Sequence, residues 1–297
     1  MAWYMSSKKK KTIKKYIFCY SMLIFAIWSV ITYFIINPSG LIMAFQTEEG
    51  GALTLDNFRM LFAEFATPNS NIWIALVNTL KYFVLTIIKL PLTFVIAYFL
   101  FKKIRGYKAY RVIFFMPSMI APIILVYLFK DLIRIGGPVD ILLNKWFGYQ
   151  MPNILYDFST STNVILFFVF WSGFGASLLL FVGAMNRIPS ELMDAAAIDG
   201  CTKFQEFTKI ITPLCWDQIS TLVLLSTIGI FGSTGPILYF TGGDYGTNTI
   251  AFWQFMQTLN GSYYYPSAVG MFFTLVNVPI ILLTRALLKK GGEAVEY

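Results

Sequence analysis

Six times along this chain, at about 16–36, 72–101, 109–130, 162–186, 214–240 and 265–288, an apolar run passes with almost no charge. About twenty such residues suffice to cross a hydrocarbon core of about 30 Å as a helix, and a soluble domain has no use for six of them. In lipid every backbone N–H and C=O must find its partner inside the segment or across a closed barrel, so runs of this kind become helices. The expected fold is therefore an all-α integral membrane protein with six transmembrane helices. Composition agrees: charged residues make up 13% of the chain, half the usual share of about 25% in a soluble domain.

The same composition removes whole classes of chemistry. There is no histidine, which takes away the usual general base and the commonest metal ligand. Cys19, Cys201 and Cys215 have no metal-site spacing and read as free thiols on or near the reducing side, so no metal site is expected. The net charge of +8 would suggest nucleic acid only if its placement were ignored, and no nucleic-acid partner is expected.

Charge placement instead orients the chain. Lys8–Lys11, Lys14 and Lys15 precede the first run, which is too long for a signal peptide and ends in Asn37-Pro38-Ser39-Gly40. Counting the N-terminus, 102–111, 187–213 and the C-terminal end together gives seventeen Lys/Arg. The alternate loops hold only Arg59, Lys130, Arg134 and Lys145. This bias places both termini and the 187–213 loop in the cytoplasm. Residues 1–15 form a basic cytoplasmic tail, 16–288 the membrane domain and 289–297 a short cytoplasmic tail.

The 187–213 loop reads as a helix–turn–helix. Pro189 and Ser190 open the first helix, with Ser190 able to cap and Glu191 and Asp194 near its positive end. Leu192, Ala195, Ala196 and Ile198 supply apolar contacts. Gly200 ends that helix, Lys203–Ile211 forms a second, and Pro213 marks the return to the membrane. From physics alone this hairpin serves equally well as an interfacial brace for its own bundle.

Spacing adds a resemblance. Asp194-Ala195-Ala196, then Gly200, then Ile210 and Pro213, resembles the coupling loop of ABC importer permeases. That family's pattern is Glu-Ala-Ala, three residues, Gly, nine residues, Ile-x-Leu-Pro; here Asp194 replaces Glu and Thr212 replaces Leu. Trp171-Ser-Gly-Phe-Gly175, Gly183 and Ile188-Pro189 lead into the loop as in the maltose-type, carbohydrate-uptake branch. Leu55-Asp56-Asn57-Phe58, Asn78-Thr79-Leu80 and Thr241-Gly242-Gly243 are similar to that branch as well.

The resemblance implies that Glu191, Asp194, Ala195, Ala196, Asp199, Gly200, Ile210 and Pro213 dock on a separate ATPase. It implies a multi-pass permease in a bacterial or archaeal cytoplasmic membrane. Its partners would be a second permease in a heterodimer, two ATP-binding subunits and an extracytoplasmic solute-binding protein. No Gly-x-x-x-x-Gly-Lys-Ser/Thr loop is present, and Lys289-Lys290-Gly291-Gly292 lacks its spacing. ATP and magnesium are thus expected in the partner, with no cofactor and no enzymatic activity in this chain.

Polar and small residues inside the spans are the candidates for a cargo path. Ser226, Gly229, Ser233 and Pro236 recur at helical spacing, with Gly232, Thr234 and Gly235 beside them, and Pro236 is expected to kink the fifth span. Small residues also serve simple helix packing. Matching outward from Asp194 places Gly173, Ser226 and Ser233 near sugar-contacting positions of the family, and Trp171 is the preferred stacking ring. Lys89 lies deep in the second span, where a charge costs about 2.5–3.5 kcal/mol, so it must face the bundle, a cavity or a partner. A basic group in the path would favour acidic sugars. The expected function is ATP-driven import of a sugar or oligosaccharide. The alternatives are import of an amino acid or polyamine, or a passive channel.

Overall fold

A computed structural model describes residues 2–47 and 50–291 of the chain. Helix α1 runs Ala2–Met43 and continues through Pro38. The residues expected as a separate N-terminal tail are, from Ala2 onward, its first turns; Met1 and residues 292–297 lie outside the described residues. Between Lys15 and Thr32 none of α1 is buried, and the helix meets β1 and the last helix of the described chain.

A two-stranded antiparallel hairpin follows, β1 (Gln46–Thr47) and β2 (Gly50–Leu53), which the apolar pattern did not announce. Helix α2 (Asp56–Ala66) is locked to it by Asn57, whose buried amide donates to Ala44 O at 3.1 Å and Gln46 O at 2.8 Å. The Leu55–Phe58 motif is thus a corner, with the Phe58 ring 5.3 Å from Phe45.

Helix α3 (Asn71–Phe101) is capped by Ser70, whose hydroxyl accepts from Trp73 N, and runs unbroken through Pro91. At about 1.5 Å per residue it is about 46 Å long, more than a bilayer core requires. Helices α4 (Tyr107–Met119) and α5 (Pro122–Ile133) follow, then α6 (Pro138–Phe147). The expected straight third span is bent: α4 meets the stretch Pro122–Phe147 at 108°. Ile120 is extended, Ala121 has ψ 131°, out of the helical region as the residue before a proline favours, and Pro122 opens α5 at a position where no N–H is missed.

Helices α7 (Ser161–Ser172) and α8 (Gly175–Met185) form one apolar stretch interrupted at Gly173. After α9 (Ser190–Ile198) come α10 (Lys203–Gln205), a π-helix (Glu206–Ile211) and α11 (Thr212–Leu214). This run meets α12 (Trp216–Ile228) at 68°. The expected single span over 214–240 is broken again into a 3-10 turn (Ile230–Gly232), extended Ser233 and α13 (Ile237–Phe240). Helices α14 (Ile250–Leu259) and α15 (Tyr264–Gly291) complete the described chain, the latter running through Pro279. Among the described residues four helices are long and apolar enough to cross a membrane, and up to six if each bent pair is one span.

Three buried clusters hold these elements. One joins α3, α8, the π-helix and α12 around Phe94, Leu178, Phe181 and Ile211. A second gathers Val126, Phe129, Ile165, Phe168 and Phe240 where α5, α7 and α13 meet. A third packs Leu61, Ile72, Ile250, Trp253 and Phe273 between α2, α3, α14 and α15. Where lipid is as apolar as leucine, close packing rather than the hydrophobic effect selects such arrangements. The Phe94 and Phe181 rings, 5.1 Å apart and edge-on, are one instance.

Candidate functional site

The basic loops come together at one end of the molecule. Lys102, at the end of α3, pairs with Glu206 of the π-helix at 2.7 Å, and the Trp216 indole donates to Leu288 O at 3.2 Å. Among the described residues the other two ion pairs are exposed neighbours three positions apart, worth little in water. Lys102–Glu206 is the one that ties distant elements.

At this basic end the 187–213 loop forms two helices joined by a tight turn. Pro189 holds the N-cap position and Ser190 is already helical, so the expected serine cap is not made. Helix α9 closes as a Schellman motif: Cys201 N donates to Ala196 O at 3.0 Å and Gly200 N to Ala197 O at 3.2 Å. That closure needs the left-handed backbone of Gly200, with φ +73°. The next helix starts at Thr202 with a reciprocal capping box to Gln205.

Of the residues predicted for docking, Glu191, Asp194, Ala195, Asp199, Gly200 and Pro213 are exposed. Ile210 is half-buried, and Ala196 is buried against its own subunit. The apolar surface offered outward comes from Ile198, 87% exposed, and Phe204, 75% exposed. Phe204 escaped the sequence reading, because an exposed phenylalanine looks like any core residue in an amphipathic string. The second helix is anchored to α3: Phe207 lies 5.3 Å from Phe94 and 5.1 Å from Tyr98, and the Tyr98 hydroxyl donates to Lys203 O at 3.2 Å. A load applied to Phe204 or Ile198 therefore passes into α3 through rings and an ion pair.

Deeper inside lies a second group. Counted from the basic end at about 1.5 Å per residue, Lys89, the Ile120 break, Gly173, Gly229 and Asn277 all lie roughly 18–20 Å in. Irregular backbone at such depth survives only where it is buried in protein or lines a wet cavity. Ile228 O, freed by the end of α12, accepts from the Asn277 amide at 3.1 Å, and Ser233 O accepts from Thr249 at 2.8 Å. Asn277 Oδ1 has no hydrogen-bond partner among the described residues.

Lys89 and Gly173 come together at this level. A Cβ on Gly173 would lie 2.4 Å from the Lys89 ammonium and 2.6 Å from Val169 O, so no larger residue fits there without displacing the lysine. Ser226, Gly229, Ser233 and Thr234 string along the broken fifth span. The Ser226 hydroxyl is spent on Leu222 O at 2.8 Å, while Thr234 is exposed. Trp171 stacks on Phe129 at 6.2 Å and meets Phe168 edge-on at 6.1 Å, so part of its ring serves packing. Lys81, about 32 Å from Lys102 along the helix, is exposed and lines an outer cavity of about 360 Å³ with Asn69 and Ser159.

Sequence reasoning missed three partners here. Asn78 is buried and donates to Gly246 O at 2.7 Å and Asn248 O at 2.9 Å, while Thr79 accepts from Ile250 N at 3.0 Å. The Asn78-Thr79 and Thr241-Gly242-Gly243 motifs are thus two sides of one joint. Tyr82, with a buried hydroxyl lacking a partner among the described residues, sits against Gly235, where a Cβ would be 3.2 Å from its oxygen. Among the described residues no cluster of three or more His, Cys, Asp or Glu comes together.

Comparison with known proteins gives this arrangement a family. The chain is 26% identical over 249 residues to the probable ABC transporter permease protein YesP of Bacillus subtilis (strain 168), covering 82% of this chain and 78% of that one. It is 28% identical over 173 residues to the maltose/maltodextrin transport system permease protein MalF of Vibrio vulnificus (strain YJ016). It is 29% identical over 141 residues to MalF of Escherichia coli (strain K12). These matches span 58% and 47% of this chain but only 32% and 27% of the MalF chains. In fold, it superposes on a chain from a bacterial ABC transporter involved in the import of the acidic polysaccharide alginate. The TM-score is 0.78 at 23% identity, over 94% of this chain and 98% of that one. A chain of a bacterial alginate ABC transporter in complex with an alginate pentasaccharide-bound periplasmic protein gives 0.79, again at 23% identity, over 96% and 99%. Residues 89–290 match the family described as binding-protein-dependent transport system inner membrane component, and the chain belongs to that family.

Proposed function

We propose that this chain is the permease subunit of an ATP-driven importer that carries a sugar or oligosaccharide across the cytoplasmic membrane. Family membership makes it a multi-pass transport component rather than a catalytic enzyme. The sugar reading is supported by the maltose/maltodextrin permeases among its relatives. ATP and magnesium would be handled by two separate ATP-binding subunits, with a second permease enclosing the path and a solute-binding protein delivering cargo.

The observation that carries the mechanism is the two-helix element at the basic end. Its exposed Ile198 and Phe204 offer a surface, and Phe207, Tyr98 and Lys102–Glu206 fasten it to α3. In this reading the basic end, with both termini, faces the cytoplasm and all six spans cross the membrane. Closure of the ATPase pair pushes the α9–α10 element, and α3 tilts with it. The broken level around Gly173 and Gly229 then opens alternately to the two sides.

The test is purification of the tagged chain in mild detergent with identification of what stays bound, followed by uptake into vesicles. Two ATPase copies and one homologous permease, with ATP-dependent accumulation of an oligosaccharide, are expected. A stable complex without any ATPase, reproduced in lipid nanodiscs, would overturn the importer reading.

A further inference from the structure

Among the described residues Lys89 is the one lysine placed inside the bundle rather than at its ends, and no carboxylate there answers its charge. It sits about 20 Å from Lys102 along α3, too far for its side chain to reach the basic surface. Among the described residues no carboxylate pairs with it and no acceptor takes a hydrogen bond from its ammonium. It is half-buried rather than splayed into lipid, and it points at Gly173, where the absence of a side chain leaves its room. A charge so placed is costly, and a protein keeps one where it meets another charge or a wet cavity.

The surroundings suit a ligand better than a salt bridge. Lys89 shares its depth with the breaks at Ile120, Gly173 and Gly229. Two turns away on the same side of α3, the Tyr82 hydroxyl is buried without a partner against Gly235 of the broken fifth span. A cation and a phenolic hydroxyl on one side of α3, facing the breaks at Gly173 and Gly235, match a chain of hydroxyls carrying a carboxylate.

We propose that Lys89 is the anion-recognising group of the translocation path, and that the cargo is an oligosaccharide bearing uronate carboxylates. This rests on the sugar-importer reading above and narrows it. Gly173 is then a positioning residue: it holds open the space into which the ammonium projects.

The test uses the whole transporter, with its sibling permease, ATPases and binding protein, in a host lacking other oligosaccharide uptake. Cells receive a mixture of oligosaccharides from partial hydrolysis of acidic and neutral polysaccharides, and mass spectrometry follows depletion of each. Wild type is expected to deplete uronate-bearing members. Lys89→Met should slow that at least tenfold while still copurifying with its partners, and Lys89→Arg should retain most of it. Gly173→Ala should slow uronate uptake in wild type by crowding the ammonium, although its Cβ also meets Val169 O whatever stands at 89.

Depletion of neutral sugars alone, or undiminished uronate uptake by Lys89→Met, overturns the proposal and leaves the sugar reading intact. So does loss of the sibling permease on Lys89→Met, which would make the lysine an interface ion. Depletion of neither class by an assembled, ATP-hydrolysing complex overturns the sugar reading itself, and the proposal with it.

Discussion

Replacing Asn78 by leucine keeps its size and removes its amide. In the native joint that amide satisfies two buried carbonyls, Gly246 O and Asn248 O. Gly246 O keeps a long contact of 3.4 Å from the Thr162 hydroxyl, so it loses part of its bonding, whereas Asn248 O has no second donor in the joint. An unsatisfied buried acceptor costs about 1–3 kcal/mol, which puts the substitution at roughly 2–4 kcal/mol. The cost falls on the 241–249 segment, whose Gly242 and Gly243 have φ of +65° and +98° and whose Thr241 and Thr247 hydroxyls meet at 2.6 Å. Amide hydrogen exchange in nanodiscs reads it directly. Exchange across 241–249 should quicken by roughly thirtyfold to several hundredfold, since about 1.4 kcal/mol is a factor of ten. Asn78→Asp should be at least as damaging, because a carboxylate turns only acceptors toward two carbonyls. Exchange within threefold of wild type for Asn78→Leu would refute the claim that this amide holds the two motifs together.

Glu206→Gln removes the charge that pairs with Lys102 and should raise ATP turnover per sugar accumulated in proteoliposomes; an unchanged ratio counts against the link to α3. Gly200→Val forces a branched side chain into left-handed backbone at about 1–2 kcal/mol, with open space around it, so it should lower coupled uptake while the chain still inserts. In a Cys19→Ser background, a membrane-impermeant maleimide should label half-exposed Cys201 in inside-out but not right-side-out vesicles, and buried Cys215 in neither. Labelling of Cys201 from both sides would break the topology. The N–H groups of Gly136 and Met151 hold the Asp140 carboxyl below its ordinary range. A carboxyl lowered in the folded state contributes fully above the unfolded value of about 3.9 and loses its effect only as pH falls through the lower native one. Proteolysis near Trp146–Tyr149 should therefore be flat from pH 7 to pH 5 and rise in Asp140→Asn across that range.

The spans were legible because hydropathy integrates over about twenty residues and tolerates local error. Their interruptions were not. Pro91 and Pro279 sit inside intact helices, and the fifth span, expected to kink at Pro236, breaks earlier at Gly229. Three glycines between 229 and 235 remove side chains that would hold a helix, and the freed carbonyls are taken by Asn277 and Thr249. Those donors come from remote segments, which no local pattern reveals. The 187–213 helices were placed well because Gly200 and the Thr202–Gln205 box act within a few residues. The fastening of that element was hidden, since Lys102 and Glu206 are joined only by folding. Lys89 stood out alone as a charge in an apolar run, but that it needs a glycine at 173 became visible only when α3 met α8.

The π-helix at Glu206–Ile211 carries one more residue per turn than α-helical winding would need. The aim of the exposed pair α9–α10 relative to α12 is therefore written as a residue count. Wound as α-helix with the same number of residues, the segment would turn everything before it by about 100°, because each α step is wider than the π step it replaces. Phe207 would then leave Phe94 and Tyr98, Glu206 would leave Lys102, and Ile198 and Phe204 would face a new direction although no side chain among them had changed. A partner shaped to meet that surface must match an angle, and the extra residue of the π turn is what sets it.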